Sequence, residues 1–400
     1  MNYKPQAAIL TIAVIFFVVC FQNCGSFTAK PYAGLQASNS PDSRPTPSPT
    51  PPAEIAKSYF FVGGVGAIKG FEIDHATDAV TSVADVSLPG QTPGWLSIDV
   101  ESQSLIATDS SGPRLSILSF DTMTGALNPV RTLGSAARSD HHSLYRSGSS
   151  LFVYNSDYNG GKMTSIEVVG AAMDVAAITQ TFTYSAGAHT HSSAIDPVRN
   201  LVFVANLDAE KIVVYSNVAG TLSFQTEVAV ADPRMLVYDT NFDRLFVTTE
   251  SYTGSSAVKI FSISGSGAGL AIVEVGSFDL QGQRGAALKI DRSNRYAVAT
   301  VREAGVEKIW SIPLTANGLI DPSRVAVSMP SVCKEARSLE ISADGKYYVL
   351  VCNHATNLVD VVVRKITYGT DSSITSFDVI REIDTGSGTF PSSALFSVEK

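Results

Sequence analysis

Residues Ser392–Lys400 read SSALFSVEK. Small polar residues flank an apolar centre in the manner of a β-strand, yet the sequence stops there and no hairpin partner follows. The partner emerges from a search for internal repeats upstream. Short apolar runs recur at intervals of 44 to 51 residues: SYFFVGG from Ser58, SLIATDS from Ser104, LFVYNSD from Leu151, LVFVANL from Leu201, LFVTTES from Leu245, YAVATVR from Tyr296 and YYVLVCN from Tyr347. Each is followed by another strand-like run, such as IKGFEID, KIVVYSN or EKIWSIP. All but the first are also preceded by one: WLSIDV, HSLYRS, HSSAID, RMLVYD, AALKID and SLEISADG. Only the run at Ser58 lacks a predecessor, because a proline-rich segment occupies that position. The unmatched strand at the C-terminus supplies what it lacks.

The sequence therefore predicts an all-β fold over residues 58–400. It is a seven-bladed β-propeller of four-stranded blades, its ring closed by the C-terminal strand joining the first blade. A sandwich or an open solenoid does not explain why the lone strand lies at the end of the chain. Composition agrees: 44% hydrophobic and 16% charged residues, with 30 glycines, suit a large β-rich core. The net charge of −8 offers no basic stripe for nucleic acid, which is excluded as a partner.

The residues before the fold read differently. Lys4 precedes AAILTIAVIFFVVC, a run too short and too terminal for a comfortable membrane span, and CFQNCGS follows. Residues 1–23 are expected to be a signal peptide with a lipobox-like end, the pattern of bacterial lipoproteins. Cys24 is then the lipidated residue, and an ordinary cleaved signal or an uncleaved anchor is the alternative. Residues 24–57, which include QASNSPDSRPTPSPTPPAEIA, form a Pro/Ser/Thr-rich tether, extended at about 3.1 Å per residue. The expectation is a monomer in the cell envelope, held to a membrane through its N-terminal lipid, with Gly25 hinting at the outer membrane. Two cysteines remain, Cys333 and Cys352. Export permits a disulfide, but the predicted register does not set the two opposite each other.

In a propeller the start of every innermost strand lies on one rim of the central channel. Residues far apart in sequence thus converge on one mouth: Trp95, His141-His142, His189-Thr190-His191, Arg234, Arg284 and Arg337. Glu250 and Arg302, closing two middle strands, lean toward the same rim. An arginine-rich rim needs carboxylates or an anionic ligand to offset it.

Here the chain resembles the seven-bladed lactonases, typified by 6-phosphogluconolactonase, with a fungal carboxy-muconate lactonising enzyme as a cousin. The resemblance spans about residues 55–400. It is strongest from GAHTHSSAIDPVRNLVFVANLDAEKIVVY to DPRMLVYDTNFDRLFVTTESYTGSSAVKIF. That family carries a histidine before one inner strand, Gly-Pro-Arg-His before the next, then Asn-Glu and Asn-Arg. The matches are His191, Asp232-Pro233-Arg234-Met235, Thr249-Glu250 and Val301-Arg302; Met235, Thr249 and Val301 are departures. In DHHSLYRSGSSLFVYNSDYNGG, the residues His142, Asn155 and Tyr158 match in part.

The resemblance implies lactone chemistry without metal or other cofactor. Glu250 would take a proton from water, His191 would give or take one near neutral pH, and Arg234 and Arg302 would hold the oxyanion or a substrate anion. His142, His189, Asn155, Tyr158, Arg284 and Arg337 would contact substrate. The same quartet suits lactonisation, so the direction stays open. HTH alone gives two close metal ligands and no third. A phosphorylated sugar lactone is a cytoplasmic metabolite, so an exported chain meets a different small lactone. The competing reading is a non-catalytic, lipid-anchored propeller that binds a protein or glycan.

Overall fold

The run at Ser58 forms a strand, β1 (Ile55–Gly64), whose two faces serve different neighbours. Successive side chains of a strand point to opposite sides. Tyr59 and Phe61 pack with Leu96, Leu105 and Leu118 of the second blade, while Phe60 and Val62 pack with Tyr347, Val349 and Val361 of the seventh. A strand buried on both faces needs no polar alternation, which is why the middle strands read as unbroken apolar runs. The outermost strands, such as Ala271–Asp279, alternate between exposed and half-buried positions because one face meets solvent.

The computed structural model describes residues 55–134, 138–169, 175–185, 187–305, 307–333, 335–352, 359–385 and 392–399. The expected signal peptide, the expected lipidation site at Cys24 and nearly all of the expected tether lie outside these residues. Among the described residues, the strands form seven four-stranded antiparallel sheets. Six are built from consecutive strands. In the remaining sheet the C-terminal strand β28 (Ser392–Glu399) pairs with β1, followed by β2 (Ala67–Asp74) and β3 (Ala79–Ser87). The register runs from Lys57 opposite Val398 to Gly63 opposite Ser392. The inner strands β4 (Pro93–Asp99), β8 (His141–Ser147), β12 (Thr190–Asp196), β16 (Pro233–Asp239), β20 (Gly285–Asp291) and β24 (Ser338–Ile341) contact each other in that order. β28 touches both β24 and β4, which completes the circle.

The hydrophobic clusters join adjacent blades, one of them also taking in Trp95 of the second blade, so the core is distributed around the ring as seven interfaces. Polar ties reinforce it on the face away from the mouth. Arg199 pairs with Asp243 of the next blade at 2.7 Å, and Arg292 reaches Asp239 at 2.5 Å. At the closing seam, Asp78 of the first blade accepts hydrogen bonds from Tyr347 at 2.5 Å and Lys365 at 2.7 Å.

The two cysteines do not face each other across a ladder, as the register predicts, yet a bridge forms outside it. Cys333 and Cys352 are joined, with Cα atoms 5.5 Å apart. Cys352 immediately follows the strand Tyr347–Val351, and Cys333 lies on the connection that precedes β24, not on a facing strand. A bridge between a strand end and a loop is invisible to a register argument.

The two faces of β1 generate a test of ring closure. Phe60 and Phe61 are both fully buried. Truncation of either to alanine is expected to cost about 3–5 kcal/mol in urea unfolding, because each fills a complete inter-blade interface. A negligible cost at Phe60 would mean that the seventh and first blades do not seal. Replacing Cys333 and Cys352 together by serine is expected to lower stability by about 3 kcal/mol, as for other loops of similar length. Identical unfolding midpoints with and without reductant would contradict the bridge.

Candidate active site

Several inner strands begin with the same irregularity. The pairing of β4 jumps from Pro93 opposite Asp109 to Trp95 opposite Thr108, leaving Gly94 as an extra residue. In β12 the extra residue is His191, and in β16 it is Arg234. A β-bulge of this kind re-aims one side chain out of the alternating pattern. Two residues before each of His191 and Arg234 the backbone enters the left-handed region, at His189 (φ 47°) and Asp232 (φ 46°). Arg284 (φ 57°) and Glu335 (φ 54°) repeat the feature in the next two blades. Such conformations cost on the order of 1 kcal/mol each and persist only where surroundings hold them. Here the carbonyls are put to use. Asp232 O accepts the amide of Glu250 at 2.8 Å, and Arg284 O accepts that of Arg302 at 3.2 Å. Glu250 and Arg302 are thereby fastened beside the rim of the neighbouring inner strands.

The result is a buried charge triad. Arg234 Nε lies 2.7 Å from Glu250 Oε2, and Arg302 donates from Nη2 to Glu250 Oε1. Tyr252 OH donates to the same Oε1 at 2.8 Å. All three charged residues are buried. Burial pushes the Glu250 carboxyl up, but the Arg234 and Arg302 guanidiniums, helped by Tyr252, hold it below the usual carboxylate range. Burial, with Arg302 close by, pulls Arg234 down to about 9 against the opposing pull of Glu250. Arg234 Nη1 is buried with no hydrogen-bond partner.

Beside the triad lies a cavity of about 300 Å³, lined by Trp95, Asp140, Tyr158, His191, Arg234 and Arg337 among others. Its lining carries three guanidiniums, Arg138, Arg234 and Arg337, against the single carboxylate of Asp140. Burial drives the His191 imidazole well below its ordinary value, and Arg234, His141, Arg302 and Arg337 add to the effect. It is neutral at pH 7, and its Nδ1 is buried without a partner. Tyr158 meets the His191 ring edge-on at 5.6 Å and stacks on His189 at 4.3 Å. His189 in turn binds Asp208 at 2.6 Å, so it supports Tyr158 from behind.

Of the residues expected from the sequence, His191, Arg234, Tyr158 and Arg337 line the cavity together. Glu250 and Arg302 stand behind Arg234. Arg284 binds Glu335 at 2.8 Å, and Glu335 also holds Arg337 at 3.3 Å, which extends the charge network along the rim. His142 is not among the lining residues. It bonds Thr108 at 2.9 Å between the second and third blades, where burial takes its pKa down to about 3. Asn155, fully buried beside it, donates to Arg138 O at 3.3 Å. The sequence reading passed over Asp140 and Trp95 as substrate contacts. His141, which the sequence reading did not single out for substrate contact, packs against the Trp95 ring at 4.2 Å and accepts the Ser193 amide at 3.3 Å. β8 has no bulge at its start, and a shift of one residue changes the face.

Residues 58–378 match the family described as lactonase, 7-bladed beta-propeller. Among solved structures, the chain is similar to the periplasmic gluconolactonase of Pseudomonas aeruginosa at 18% identity and TM-score 0.70, covering 86% of this chain and 99% of that one. It is also similar to a candidate 6-phosphogluconolactonase from Bacteroides fragilis at 15% identity and TM-score 0.68, covering 88% and 100%. At these identities the likeness is one of fold. A comparison with curated proteins finds no significant match. The family match extends over most of the chain, and on that ground the chain belongs to the lactonase family of seven-bladed β-propellers.

Proposed function

We propose that the chain is a cell-envelope hydrolase that opens a small anionic lactone at the channel mouth. The observation that carries this reading is Arg234, a buried guanidinium with an unpartnered nitrogen on the wall of a cavity that also holds an unpartnered, neutral His191. Burying an ion without full pairing is costly, and the remaining donor is best satisfied by an anion. Family membership supports lactone chemistry, and the sequence of the leader supports export. The Pseudomonas aeruginosa protein, whose description reads periplasmic, is in keeping with an envelope location.

The chemistry asks little of the protein. Water must lose a proton as it attacks the ester carbonyl, the carbonyl oxygen must bear charge, and the ring oxygen must gain a proton as the C–O bond breaks. Neutral His191 takes the proton from water and returns it to the departing ring oxygen. Positioned acid–base groups of this kind contribute about 10²–10⁴-fold in rate. Arg234 and Arg337 stabilise the oxyanion or hold a substrate carboxylate. Glu250, gripped by two arginines, serves better to orient Arg234 than to accept a proton. No step in this scheme calls on a metal.

Incubation with a panel of aldonolactones and acyl lactones tests the proposal. Ring opening is expected for the unmodified protein, with His191→Ala lowering kcat by at least about 100-fold. Arg234→Lys should raise KM and lower kcat, because a point charge replaces a planar fork. Equal turnover by all three proteins, or none by the unmodified protein, overturns the catalytic reading in favour of a binding propeller.

The histidines also predict a pH response. His191 has a depressed pKa, so its basic form persists as pH falls past 6.5, and the acid limb of kcat/KM should lie below that value. A limb centred at 6.5 or above contradicts the burial argument. His142 titrates near 3 in the folded chain and near 6.5 when unfolded. Below 6.5 the unfolded chain gains a proton that the folded chain refuses, so stability is complete above that pH and falls as pH drops toward 3. The expected slope from His142 is about 1.4 kcal/mol per pH unit. In His142→Gln the slope should fall by that amount, the contributions of buried His141 and His191 remaining.

A further inference from the structure

We propose that Asp140 sets the specificity of the cavity: it accepts a hydroxyl or similar donor on the substrate and turns away a phosphorylated one. The inference rests on the reading of this cavity as the substrate site and adds the class of substituent it admits. Asp140 lines the same cavity as His191 and Arg234, and it immediately precedes the inner strand of the third blade. Its Oδ2 accepts the Tyr158 amide at 3.0 Å, so backbone fixes the carboxyl while the Tyr158 ring faces His191. Burial raises its pKa and Asp157 adds to this, while the Tyr158 amide, Arg138 and Arg337 work against it. The cavity wall therefore carries two unlike groups. Arg234 offers its unpartnered Nη1 to an anion, whereas Asp140 in its ionised form offers only acceptor atoms.

A carboxylate and a phosphate dianion confined together in about 300 Å³ repel strongly, because little water intervenes. A hydroxyl at the same place gains a hydrogen bond to a charged acceptor, worth about 10- to 100-fold in affinity. Rejection by a like charge is a standard route to selectivity. The expected occupant is then a lactone whose anionic or carbonyl end meets Arg234 and whose distal substituent is a neutral donor.

Gluconate and 6-phosphogluconate probe the two cases, since they share one carbon chain and differ in a distal hydroxyl or phosphate. Binding is measured by calorimetry at pH 8, where the phosphate is dianionic. The unmodified protein is expected to bind gluconate more tightly by at least about 10-fold. In Asp140→Asn the two ligands should move in opposite directions: gluconate weakens by about 10-fold and 6-phosphogluconate tightens by a similar factor. Asp140→Glu, which keeps the charge, should retain the original preference. Parallel weakening of both ligands would assign Asp140 a structural role and overturn the proposal. So would absence of gluconate binding, or preference of the unmodified protein for 6-phosphogluconate, a result that needs no variant. Opposite shifts without turnover of any lactone would uphold Asp140 as a selector and remove the hydrolase reading alone.

Discussion

A blade of this protein cannot stand alone, because its middle strand carries large apolar side chains on both faces. Phe60 and Phe61 illustrate the constraint: adjacent in sequence and fully buried, they belong to different interfaces. An open row of blades would leave one such face bare at each end, and burial of a phenylalanine is worth about 1.5–3 kcal/mol. The circle is the arrangement with no bare end. It is sealed by β28, whose pairing with β1 ties the last segment of the chain to the first blade. Every feature of the mouth follows from that closure, because the side chains that meet there come from blades separated by tens to hundreds of residues.

The same closure permits a charge arrangement that no local structure would tolerate. Two guanidiniums and one carboxylate are buried within contact of one another at Arg234, Arg302 and Glu250. Removal of such groups from water costs several kcal/mol per ion, and mutual attraction returns it only when every donor finds an acceptor. The triad stops short of that, since Arg234 Nη1 has none. A structural ion pair tends toward complete pairing. An incompletely satisfied one on a cavity wall is pre-set for a ligand that completes it, and its residual positive potential is stronger for the apolar surroundings of Trp95 and Met235.

Much of this was legible from the sequence, for identifiable reasons. The repeat of apolar runs exposed the blades, and the unmatched SSALFSVEK exposed the closure, because both are long-range regularities that survive substitution. His191 and Arg234 were legible as rim residues because each immediately precedes or opens an inner strand. Their aim was not, since it depends on bulges whose one-residue insertions leave no compositional mark. His141 and His142 show the consequence. They are chemically identical neighbours, and only register separates the ring packed against Trp95 from the ring bonded to Thr108. Asp140 escaped notice because an aspartate before a strand ordinarily reads as a turn residue. The Cys333–Cys352 bridge escaped because it joins a loop to a strand end, outside any ladder.

In the proposed reaction, acid–base chemistry and anion binding at this mouth would be coupled by the field that the arginines create. His191 is held neutral by burial first, then by Arg234, Arg302 and Arg337. An anion settling on Arg234 cancels part of that positive field. The imidazolium that forms when His191 takes a proton is then less disfavoured, so the group becomes a stronger base as the ligand arrives. By linkage the converse holds: protonation of His191 favours retention of the anion. A rim of arginines around a buried histidine is therefore more than a clamp. It keeps the base unprotonated while the cavity is open to water and releases its basicity when an anion occupies the site. In the proposed reaction the ring-opened product carries a new carboxylate, which binds more weakly once the imidazole has given its proton back.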